Sequence, residues 1–146
     1  MALKREGAVF LLGITVLAVI IALLFLPSAG EEEIAHLAVR FFGLYGYLFL
    51  SVATLTTPFL KEITQAFGKP FLRVHHIFSI LGIVFITLHP VFNAVQRLSL
   101  SVFVPRFDSW DLFWRLAGRP AFIMLYIALF AAILRTKAPK YWRPFH

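Results

Sequence analysis

Two histidines, His75 and His89, stand fourteen residues apart on either side of a long apolar run, Ile77–Leu88. Ionisable side chains at membrane depth are costly and usually functional, so this stretch is the first place to look for chemistry. On a helix at 100° per residue, His75 and His89 diverge by about 40° and share a face, whereas His76 and His89 diverge by about 140°. A rise of ~1.5 Å per residue separates His75 from His89 by about 21 Å along the axis. One imidazole therefore sits near each side of a bilayer, both facing the same way. Gly82 lies midway on that face, where a small residue would admit a bulky planar group. Two imidazoles so placed suit a stacked pair of haems, each held by this helix and a facing one, as bundles hold cofactors between inward-projecting ligands. His146 is the natural inner partner of His75. A partner for His89 would stand about four turns beyond His146.

Other roles for these residues stay open. His75 and His76 occupy a basic loop-to-helix junction and could be ordinary interfacial histidines. His89 precedes Pro90 and could satisfy a backbone carbonyl that the proline leaves without a donor. His36 adjoins Glu31–Glu33, where electrostatic company suffices. Neither HExxH nor HxxxH occurs, the spans carry no carboxylate, and there is no Gly-rich nucleotide loop, which argues against zinc, di-iron and nucleotide sites.

The elements that must position these residues are membrane helices. The 146-residue chain is 60% apolar and 14% charged, more apolar surface than a soluble domain of this size can hide. Uncharged runs of about 18 residues or more read as spans. Four are expected, at 8–26, 37–60, 71–95 and 118–134, forming an all-α integral membrane bundle in a single domain, with the start of a fifth helix at the C-terminus. Thr57-Pro58 marks a kink or helix end. Lys61–Pro70 reads as a polar basic loop. Gln96–Leu116 is too polar to span. Its Trp110, Phe113 and Trp114 interleave with Asp108, Asp111 and Arg115, as in an amphipathic segment lying at the interface. The basic start (Lys4, Arg5) and apolar first run resemble a signal peptide, but the run is long and Pro27–Gly30 is a poor cleavage site, so a retained helix is expected.

The net charge is +7 and there are no cysteines, which excludes disulfides and thiolate-ligated clusters. The basic residues cluster at span ends, pointing to lipid head groups and topology rather than nucleic acid. With the N-terminus inside, the inner segments hold nine of the fourteen basic residues against two acids, and the outer ones five of each. The expected setting is a bacterial or archaeal cytoplasmic membrane with the N-terminus cytoplasmic.

From about residue 35 to 146 the chain resembles the ferric reductase-like transmembrane domain family, which includes the MsrQ-type membrane subunit of the periplasmic methionine sulfoxide reductase system and the haem domains of NADPH oxidases. Arg40-Phe41-Phe42-Gly43, Thr57-Pro58, Thr87-Leu88-His89, Gly118-Arg119-Pro120 and Trp142-Arg143-Pro144-Phe145-His146 carry the likeness in order and spacing. The resemblance implies b-type haem with His89 and His146 as axial ligands. It departs from the MsrQ type at His75-His76, where that type tends to have an arginine pair and NADPH oxidases a histidine fourteen residues before the second. It also implies further chain after His146, with the rest of helix five and a sixth helix.

The expected function is a transmembrane electron conduit. A flavin (FMN or FAD) or flavoprotein on the inner side would deliver electrons through one or two haems b to an outer acceptor. Arg73 and Arg143 are placed to pair with inner haem propionates, and Arg115 and Arg119 with outer ones; setting topology and binding lipid serve equally for each. Two other readings stand beside it: a non-catalytic membrane partner or assembly subunit with structural histidines, and a quinone-linked cytochrome b.

Overall fold

The computed structural model describes residues 4–25 and 34–137. Among them every regular element is helical: α1 (Arg5–Phe25), α2 (Ile34–Leu55), α3 (Leu60–Phe67), α4 (Phe71–Arg97), α5 (Trp110–Arg115) and α6 (Gly118–Lys137), with single 3-10 turns at Thr57–Phe59 and Leu100–Phe103. Helices α1, α2, α4 and α6 are long and apolar enough to cross a membrane, and the fold is an all-α helical membrane protein. It divides into two compact units, Met1–Leu98 and Ser99–His146.

In the first unit, α2 and α4 form the most closely packed pair. Apolar area drives little association between helices in lipid, so close approach depends on small residues at the contact. Gly46 and Gly82 supply them. A Cβ on Gly46 would stand 2.6 Å from the Ile86 backbone nitrogen, and one on Gly82 would stand 2.7 Å from Leu50 Cγ. Leu48, Val52 and Ala53 of α2 and Phe71, Val74 and Phe78 of α4 make the core, with Ile63 of α3. Phe49 bridges Phe78 and Phe85, and Phe42 bridges Phe85 and Phe92, continuing the seam as a ladder of rings.

Helix α2 stops where its chemistry dictates. Pro58 has no N–H and disfavours a helical residue before it, so the chain turns through Thr57–Phe59. The expected loop over 61–70 is instead largely the helix α3. It is amphipathic, with Ile63 and Ala66 buried, and its polar composition hides a short helix whose apolar stripe is two residues wide. Gly68 ends it at φ 60°, a left-handed conformation that glycine adopts without penalty. Helix α1 packs on α3 and α2. Its start is tied to α3 by the Lys4 amide donating to the Ala66 carbonyl (3.0 Å), and Phe10 meets Phe67 edge-on. Tyr45 Oη donates to the Ala18 carbonyl at 2.8 Å, joining α2 to α1.

Helix α4 passes through Pro90 and ends at Arg97, where Leu98 caps it in a left-handed conformation. In the second unit, Ser109 caps α5 by accepting from the Leu112 amide, as serine does at N-caps. Phe113 stacks on Phe107 and Trp110, Trp114 meets Trp110 and Phe113 edge-on, and the two tryptophans are largely exposed.

Candidate functional site

The two histidines that open the argument lie on the seam between α2 and α4, and the backbone of α2 holds both in the same way. His75 Nδ1 meets the Ala53 carbonyl at 3.1 Å, and His89 Nδ1 meets the Val39 carbonyl at 2.8 Å. A carbonyl can only accept, so in each ring Nδ1 carries the proton and donates. The lone pair is then left on Nε2, the tautomer in which a histidine ligates metal while its other nitrogen is anchored to the protein.

The match is one of register. The two helices run antiparallel, with His75 opposite Ala53 and His89 opposite Val39, and each pair is fourteen residues apart. Gly82 bisects one pair and Gly46 the other. The crossing is therefore centred on two glycines, with an imidazole–carbonyl contact four turns apart at each end.

Local chemistry supplies each carbonyl. Ala53 lies in the last turn of α2, whose carbonyls lack intrahelical donors. Thr56 Oγ1 (3.0 Å) and Thr57 Oγ1 (3.2 Å) donate to it alongside His75, and Thr56 is buried. Val39 lies inside α2, and its carbonyl is reachable because Gly43, one turn on, has no side chain. A Cβ there would stand 2.7 Å from His89 Nδ1. Phe71 stacks on the His75 ring with centroids 5.4 Å apart. The second nitrogens differ: His75 Nε2 accepts a long bond from Ser79 Oγ (3.3 Å), while among the described residues none bonds His89 Nε2. The two rings are half-buried, and His76, one position on, is exposed.

Two sequence expectations change here. Gly82 does not open a slot for a planar group, because Leu50 of α2 fills that space. A haem would therefore have to approach Nε2 from the flank of the seam. His89 does not satisfy the carbonyl that Pro90 orphans within α4, since it reaches across to α2. Arg119 Nη1 donates to the Ser101 (3.0 Å) and Val104 (2.9 Å) carbonyls. Arg115 faces Asp111 at 3.7 Å in an exposed pair. Arg73 is exposed. His146 and Arg143 lie outside the described residues, as does the start of a fifth helix. Gly43 is the positioning residue that sequence reasoning left without a role. It stood inside a quoted motif, but its task shows only once the phase of α2 against α4 is known.

Among the described residues no group of three or more histidine, cysteine, aspartate or glutamate side chains converges. A haem iron takes one imidazole from each of two helices; His75 and His89, both on α4, are of the donor type to supply one each, to separate haems. Comparison of the chain with protein-family models, with curated proteins and with solved structures finds no match.

Proposed function

We propose that this chain is a haem-binding membrane electron-transfer protein in which His75 and His89 each present Nε2 as an axial ligand, one near each membrane face. One observation supports this above all: two imidazoles four turns apart, both locked through Nδ1 to backbone carbonyls of the facing helix. Haem b would supply reversible one-electron chemistry. The protein's own residues would do the rest. Val39 and Ala53 fix the tautomer and ring direction, Gly43 makes room for the outer ring, and the Phe42–Phe49–Phe85 packing keeps water from the seam. Electrons would come from an inner flavin or flavoprotein, and the acceptor would lie outside. Moving one electron across changes its free energy by about 2.3 kcal/mol per 100 mV of membrane potential.

A second reading is favoured by the same contacts. The imidazole–carbonyl bonds also join α2 to α4, and histidines serving only as such staples would suit a non-catalytic membrane subunit. Haem content separates the two. After haem-sufficient expression of the chain with any native C-terminal extension, pyridine haemochrome assay of the purified protein is expected to show bound haem b. Haem should fall in His89→Ala and His75→Ala and hold in His76→Ala. Haem-free protein whose His89→Ala variant is merely less stable would select the structural reading.

A further inference from the structure

At the end of the first unit where α1 begins and α2 stops, a cleft of about 600 Å³ opens between α1, α2 and α3. Its walls are apolar, with Phe10 and Ile14 from α1 and Val52 and Leu55 from α2, and its rim carries Glu6 and Glu62. That volume is in the range of small-molecule sites. Their sequence neighbours are basic: Lys4 and Arg5 precede Glu6, and Lys61 precedes Glu62. The two glutamates are far apart in sequence, yet the Lys4–Ala66 backbone bond draws the start of α1 onto α3 and brings both to one cleft. Both are exposed, and neither forms an ion pair among the described residues.

An apolar slot with carboxylates at its mouth is complementary to an amphiphile with a cationic head. We infer that this cleft is a lipid site selective for a phospholipid with a primary-ammonium head group. The acyl chain lies along Ile14, Val52 and Leu55. The ammonium, with three N–H donors, bridges Glu6 and Glu62. A trimethylammonium head has no such donors, and an anionic head lacking a cation is repelled by the two carboxylates. Arg5 and Lys61, the sequence neighbours of the two glutamates, give the lipid phosphate a basic setting.

The test is native mass spectrometry of the full chain in mild detergent, with equimolar phosphatidylethanolamine, phosphatidylcholine and phosphatidylglycerol of matched acyl chains. Retained phosphatidylethanolamine should exceed phosphatidylcholine by roughly three- to ten-fold, the yield of one or two exposed ion pairs. The Glu6→Gln/Glu62→Gln double variant should lose the preference. Leu55→Trp, which fills the slot from an exposed position, should lower retention of every lipid. Equal retention of the two zwitterionic lipids, dominance of the anionic one, a preference that survives the double variant, or unchanged retention in Leu55→Trp would each overturn the assignment. Haem plays no part in this readout, so it stands apart from the proposed electron-transfer role.

Discussion

Replacing Gly43 by alanine is the sharpest probe of how His89 is held. The new Cβ would stand 2.7 Å from His89 Nδ1, 3.1 Å from Cε1 and 3.4 Å from Cγ. Ordinary contact begins near 3.4 Å, so the ring must retreat by about 0.7 Å (3.4 − 2.7). Added to the 2.8 Å bond to the Val39 carbonyl, that retreat stretches it to as much as about 3.5 Å, where little of a hydrogen bond remains. Overpacking costs about 1–3 kcal/mol, and the gain in helix propensity from glycine to alanine returns about 1 kcal/mol. Stability should thus fall by no more than about 2 kcal/mol. Ligation should suffer more, since loss of an anchoring partner typically weakens metal binding by about 10–100-fold. The assay is haem titration of purified variants alongside thermal unfolding. Gly13→Ala is the control, because nothing lies within 4 Å of its Cβ. Haem affinity in Gly43→Ala equal to that of Gly13→Ala would refute the claim that the Val39 anchor matters.

Gly46→Val pushes against the backbone of Phe85 and Ile86, which cannot rotate away; unfolding in detergent should shift down by about 1–3 kcal/mol or more, and an unchanged midpoint would contradict the close α2–α4 crossing. Tyr45→Phe removes the bond to Ala18 and should cost about 0.5–1.5 kcal/mol, visible as faster hydrogen exchange where α1 meets α2. Arg119→Gln removes both carbonyl bonds and should loosen residues 99–104 to limited proteolysis while leaving any haem midpoint potential in place; a shifted potential would instead point to a propionate contact.

Much of the fold is legible in composition, because four long apolar runs admit few structures other than membrane helices. Thr57-Pro58 is legible as a helix end, since proline's missing N–H acts locally. The shared face of His75 and His89 follows from helix phase alone. What faces that phase does not. Gly82 invites a cofactor in the sequence and receives Leu50 in the fold, because a small residue permits close approach without naming what approaches. The same holds for Pro90, which orphans the Ile86 carbonyl three residues before His89, while the carbonyl that the ring binds is fifty residues away. Helix α3 is hidden because eight residues with two buried positions give too short a pattern to stand out from a loop.

The central claim, that anchored imidazoles ligate haem iron, is tested most directly by a reduced-minus-oxidised visible spectrum of membranes containing the chain, the His75→Ala and His89→Ala variants, and the His76→Ala control. A sharp low-spin b-type signal is expected from the parent and from His76→Ala, reduced or lost in each of the other two. A signal of full size in both His75→Ala and His89→Ala, or none in the parent extended through its native C-terminus, would contradict it.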